Sequence, residues 1–319
     1  MPFHFVDRIY EMKAGERAHG IKNVTRSDRF FYGLPTGELV LSPAVVTEAL
    51  AQLGSWLKMF SSDFMKQPVL LADEYTYYEN IVLPGDQLDL YVEVLDINDD
   101  VVATRSYAEV NSKRVLTTTC CRGYLLPISE FDDRNQVLRR FNALYKPELL
   151  DLRTPLPRRL ESSEVPAKGF ARSCDFVDGL LEHKAYSSIT AYRNFASSED
   201  YFASHFPYKP IVPGVLLMTF IGEACQFLAQ ENLVSHDYTR FLVPTYVRNA
   251  RFRKFVEPGD QVIVKAEVVS GDMSKDAQDI VMQATLMSNN KRVMQSEMGF
   301  RTMYGEASKA LESMPTIER

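Results

Sequence analysis

Two stretches of the chain stay apolar for far longer than a strand requires: Ala44 to Phe60 and Val215 to Ala229. Both are also too uniformly apolar for a surface helix, so each is predicted to be a helix buried on most sides. After each one the pattern changes to alternation. Leu88 to Ile97 reads LDLYVEVLDI and Gln261 to Val269 reads QVIVKAEVV, each preceded by a Pro-Gly-Asp turn signal. One long helix wrapped by an antiparallel sheet is the simplest packing of such a pattern, which gives an α+β fold.

The pattern occurs twice because the text does. FVDRIYEMKA (Phe5 to Ala14) returns as FVDGLLEHKA (Phe176 to Ala185), 171 positions on. The same offset carries Asn23 onto Asn194, Ser27 onto Ser198 and Phe31 onto Phe202. Further along, VLPGDQL (Val82 to Leu88) matches VEPGDQV (Val256 to Val262) at an offset three residues longer. Order preserved over that distance indicates an internal duplication. Residues 1–126 form the N-terminal repeat and 171–304 the C-terminal repeat. Between them, 127–170 hold Pro127, Pro147, Pro155, Pro157 and Pro166 among charges and read as a linker with one short helix, Asn135 to Leu144. Residues 305–319 read as a polar, weakly ordered tail.

Composition narrows the function. With 45% hydrophobic and 24% charged residues in 319, the chain has ample material for packed cores, which excludes global disorder. A net charge of −6 argues against general nucleic-acid binding. No apolar run approaches the ~18 residues of a membrane span, and the N-terminus lacks the basic and apolar regions of a signal peptide. Cys120, Cys121, Cys174 and Cys225 form neither a disulfide framework nor a metal knuckle, which suits a reducing cytoplasm. His4, His19, His183 and His236 show no ligand spacing, so no metal is expected.

The segment His205-Phe-Pro-Tyr-Lys-Pro-Ile-Val-Pro213-Gly214-Val-Leu resembles the signature of the 3-hydroxyacyl-[acyl-carrier-protein] dehydratase family, the hot-dog-fold enzymes of fatty-acid synthesis. FVDR near Phe5, IKNVT (Ile21 to Thr25), EALAQ (Glu48 to Gln52) and the NARF…PGDQ stretch (Asn249 to Gln261) extend the resemblance over both repeats. It implies a fused double hot-dog. In that family a catalytic His is followed fourteen positions later by an acid. After His205 that position is Thr219; in the first repeat the acid is present as Glu48, but the His position is Leu34. Each repeat keeps what the other has lost. The family builds each site from two subunits, so the resemblance implies one composite site, His205 with Glu48, and one empty pseudo-site, Leu34 with Thr219. Gly214, whose N–H faces the substrate carbonyl in the family, corresponds to Pro43, which has no N–H. The double hot-dog dehydratase modules of polyketide synthases carry the His in the first half instead, which places this chain nearer to a fused bacterial dehydratase.

Eliminating water from a 3-hydroxyacyl thioester needs a base at the carbon beside the carbonyl and an acid at the departing hydroxyl. A neutral imidazole, with a reference pKa of about 6.5, suits the first task, so His205 is the expected base. Glu48, on an apolar helix, is expected to be pushed toward its protonated form and to serve as the acid. Gln52, one turn on, holds that carboxyl in place, and the Gly214 N–H supports charge on the thioester oxygen. The implied partner is acyl carrier protein, which is acidic, docking beside Arg251, Arg253 and Lys254; their counterparts in the first repeat, Tyr77, Glu79 and Asn80, are not basic. No cofactor is required, and exposed sheet edges allow a homodimer of fused units. Glu223, at the Gln52 position, reads as a structural partner of a linker residue rather than a rival acid. Cys225 reads as core, and Tyr75, Tyr77 and Tyr78 as sheet packing. Two other functions fit the same frame: a hot-dog acyl thioesterase using Glu48 or Glu223 to activate water, and a non-catalytic carrier-binding module.

Overall fold

The two repeats build the same succession of elements, except for a short strand pair that, among the described residues, only the first carries. In the first, β1 (Arg8–Lys13), β2 (Arg17–Asn23) and the short pair β3 (Phe31–Gly33) and β4 (Leu39–Leu41) lead into the long helix α1 (Pro43–Ser61). Strands β5 (Lys66–Tyr78), β6 (Gln87–Ile97), β7 (Val101–Val110) and β8 (Lys113–Pro127) follow. A connecting segment carries helix α2 (Arg134–Leu144). The second repeat supplies β9 (Gly179–Lys184), β10 (Ser188–Asn194), helix α3 (Gly214–Gln226), β11 (Arg240–Phe252), β12 (Gln261–Ser270), β13 (Asp279–Ser288) and β14 (Lys291–Tyr304). This computed structural model describes residues 4–25, 28, 30–33, 38–152, 176–229, 240–273, 275 and 278–304.

Among the described residues, twelve strands join in one antiparallel sheet of order β1-β2-β6-β7-β8-β5-β11-β14-β13-β12-β10-β9. Six strands of one repeat and six of the other meet at the β5–β11 seam, where Tyr246 faces Tyr77 and Arg251 faces Ala72. The sheet wraps α1 and α3, which pack on each other. This is the double hot-dog the resemblance implied. Leu53 and Leu57 on α1 and Phe220 and Ile221 on α3 are fully buried, each worth about 1.5–3 kcal/mol of burial.

The likeness of the two repeats extends to single hydrogen bonds. Asp7 Oδ2 accepts the Asn23 N–H, and Asp178 Oδ2 accepts that of Asn194. Asn23 and Asn194 accept from the side chains of Gln87 and Gln261 in turn. Each Pro-Gly-Asp turn has its glycine at positive φ (98° at Gly85, 88° at Gly259), a conformation open to glycine without steric cost. The hairpins β7–β8 and β13–β14 both turn on two positive-φ residues, Asn111-Ser112 and Asn289-Asn290, as a two-residue type I′ loop demands.

Each predicted central helix starts one residue early, at Pro43 and at Gly214. The second leaves α geometry after Gln226 and finishes as a 3₁₀ turn, Phe227–Ala229. Cys225 is core as expected, fully buried, and Tyr75 stacks on Tyr77 and Tyr246 at 4.1 and 5.3 Å. The connecting segment differs from its reading as a linker: residues 128–152 are fastened to the N-terminal repeat. Asp133 caps α2 by accepting the Gln136 N–H, and the Phe141 ring lies 5.0–6.0 Å from those of Trp56, Phe60 and Phe64. Lys146 donates its N–H to the Ile9 carbonyl at 2.9 Å. Pro155, Pro157, Pro166, Ser27, Leu34, Cys174, His236 and the tail from Gly305 lie outside the described residues.

Candidate active site

A cavity of about 350 Å³ opens between the repeats, and Glu48, Gln52, His205, Gly214, Arg253 and Lys254 all line it. The carboxyl and the imidazole that the sequence assigns to opposite repeats therefore face one space.

Helix α1 presents Glu48 and Gln52 on one face, four residues apart. Gln52 Nε2 donates to Glu48 Oε1 at 2.8 Å, while Gln52 Oε1 accepts the Phe5 N–H at 2.8 Å. The backbone donor settles which way the amide points, and so what it offers the carboxyl. Desolvation pushes Glu48 up to about 7, against the opposing pull of the Gln52 donor.

His205 sits in the loop between the 3₁₀ turn Asp200–Ala203 and α3. Its N–H donates to the Tyr201 carbonyl, and its own carbonyl accepts from Ile211 at 3.0 Å. The ring Nδ1 lies 3.1 Å from the Ile211 carbonyl oxygen. A carbonyl can only accept, so Nδ1 carries the proton and Nε2 the lone pair. Desolvation holds the ring down at about 4, partly offset by that carbonyl, and the imidazole is neutral near pH 7.

Gly214 is the first residue of α3, where an N–H has no partner within the helix and the helix dipole is positive. A Cβ there would meet the Phe252 ring at 3.0 Å. At the matching place in α1, Pro43 has no N–H to offer.

The other repeat's residues at these positions are engaged structurally. Thr219 Oγ1 donates to the Val215 carbonyl of its own helix at 3.0 Å. Glu223 Oε2 accepts the Phe176 N–H at 2.6 Å, as Gln52 does for Phe5. The Phe176 N–H that Glu223 holds belongs to the repeat. Of the three basic residues, Lys254 lines the cavity, Arg253 lines both it and an adjoining cleft, and Arg251 lines only that cleft, with Asp73, Glu74 and Arg122.

Several lining residues were not legible as such. His4 faces the cavity, its ring held low by burial and by the Arg140 charge. Asp132, Val137 and Arg140, from the connecting segment, form part of the wall, and Asp132 pairs with Arg140. The apolar pair Val137 and Phe141, one helical turn apart, is the one sequence signal that this segment has a buried face. Among the described residues no cluster of His, Cys, Asp and Glu could hold a metal ion, and no helix is long and apolar enough to cross a membrane.

The FabA-like domain family matches residues 1–119 and 172–297. The chain is similar to the 3-hydroxyacyl-[acyl-carrier-protein] dehydratase FabZ of Caldicellulosiruptor bescii, 32% identical over 126 residues, covering 39% of this chain and 86% of that protein. For the same enzyme of Exiguobacterium sibiricum the identity is 37% over 118 residues, covering 36% and 84%. Among solved structures, a bifunctional dehydratase-cyclase domain in ambruticin biosynthesis superposes with a TM-score of 0.51 at 11% identity, covering 97% of this chain and 99% of that one. The 12:0-ACP thioesterase from Umbellularia californica gives 0.50 at 8% identity, covering 90% and 94%. At such identities these likenesses concern the fold alone.

Proposed function

We propose that this chain, which belongs to the FabA-like domain family, removes water from (3R)-3-hydroxyacyl thioesters at a single composite site. The observation that carries the reading is the shared cavity of Glu48 and His205, one from each repeat. His205 Nε2 takes the proton from the carbon beside the thioester carbonyl. Charge that develops on the carbonyl oxygen is met by the Gly214 N–H at the positive end of α3. Glu48 gives its proton to the hydroxyl on the next carbon, and the C–O bond breaks to release water and leave a trans-2-enoyl thioester. The imidazolium and the carboxylate then restore their starting states by passing one proton between them, directly or through water. No cofactor enters these steps.

The similar dehydratases are named for acyl-carrier-protein substrates, and the same donor is proposed here. Arg253 and Lys254 at the cavity would draw in an acidic carrier, charge acting chiefly on steering and register.

Turnover of 3-hydroxybutyryl and 3-hydroxydecanoyl thioesters tests the reading. Enoyl absorbance should grow with the wild-type protein and fall about 100-fold or more in His205→Ala and Glu48→Gln, while Glu223→Gln keeps the wild-type rate. Release of free acid and thiol would instead identify a thioesterase, and unchanged rates in both variants would remove the assigned roles.

A further inference from the structure

The connecting segment lies outside the family match, which skips residues 120–171, yet it supplies Asp132, Val137 and Arg140 to the cavity wall. The lining residues are graded in exposure. Arg253 is exposed, as are His4, Tyr124 at 46% and Leu70 at 37%, whereas Trp56, Met59 and Val137 retain 9, 6 and 2%. The cavity therefore opens beside the basic residues and ends against α1 and α2. From Glu48 to Met59, α1 rises roughly 16 Å, so the enclosed part extends along the helix away from the reacting groups.

The segment is held in place at several points. Tyr208, in the histidine loop, donates its N–H to the Phe131 carbonyl at 3.0 Å. Asp132, just before α2, pairs with Arg140 in its middle. Arg134 bonds Asp63 beyond the end of α1 at 2.8 Å, and Phe141 lies among the rings of Trp56, Phe60 and Phe64. A wall so braced does not yield to a longer chain without breaking packed contacts.

We propose that α2 is the acyl-length stop of this site, with Val137 the residue an acyl chain meets at the blind end and the Asp132–Arg140 pair the brace that keeps it there. The identity of the ligand as an acyl thioester rests on the dehydratase reading; the position of the stop does not.

Acyl-pantetheine amides, which carry no hydroxyl to eliminate, make the test independent of turnover. Calorimetric titration with butyryl to tetradecanoyl amides should show affinity rising about fourfold per buried methylene up to a limiting length. Val137→Ala should move that limit to longer chains and Val137→Trp to shorter ones, with the butyryl amide bound as in wild type by both. Thermal unfolding reports whether each variant is folded, and Val137→Ala decides alone if the tryptophan is not accommodated. A limit at the same length in every folded variant, or no binding of any amide, overturns the proposal. A shifted limit in a protein that dehydrates nothing would uphold the stop and defeat the dehydratase reading.

Discussion

At the scale of single residues, the two groups proposed to react are tuned in opposite directions by the same desolvation. The proposed turnover needs a neutral imidazole and a protonated carboxyl. The pH profile of kcat/KM should therefore rise through about 4, as His205 loses its proton, and fall above about 7, as Glu48 loses its own. Stability follows with a definite sign. Glu48 is raised from 4.5 to about 7 in the folded chain, so its favourable contribution is complete below 4.5 and lost as pH rises through 7. For His205, lowered from 6.5 to about 4, the contribution is complete above 6.5 and lost as pH falls through 4. Of these two groups, only Glu48 still changes between pH 6.5 and 8. Over that interval wild type should lose melting temperature relative to Glu48→Gln; parallel curves would contradict a buried, raised carboxyl.

At the scale of elements, the beginnings of α1 and α3 differ by one N–H. Gly214→Ala retains that donor and adds the Cβ that crowds Phe252; Gly214→Pro adds similar bulk and removes the donor, at a helix position where proline is tolerated. The proline variant should turn over about 100- to 1,000-fold more slowly than the alanine variant, and equal rates would dismiss Gly214 as a donor. These helices were legible because long apolar runs are a local signal, and the mutual loss of acid and imidazole was legible because a repeat supplies its own reference. The role of α2 was not. A segment of charges and prolines resembles a tether, and what makes Asp132, Val137 and Arg140 part of a wall is the fold that brings them to the cavity, which no spacing encodes. Arg251 shows the converse: it is three residues from Lys254 in sequence, yet the β11 backbone turns it into the neighbouring cleft.

At the scale of the whole molecule, the β5–β11 seam joins the two proposed half-sites within a single polypeptide. Mixing His205→Ala with Glu48→Gln, unfolding both and refolding them together should leave activity at background, since each chain brings only one working half and pairs it with its own damaged one. Recovered turnover would show sites shared between chains. On the proposed reading, Thr219, occupied with its own helix, and Pro43, with a ring in place of a hydrogen, together make the loss of a second site a ratchet. No single substitution revives it, and a first step back confers nothing that selection could retain. The lineage of such a chain can refine the surviving centre but has little route back to two.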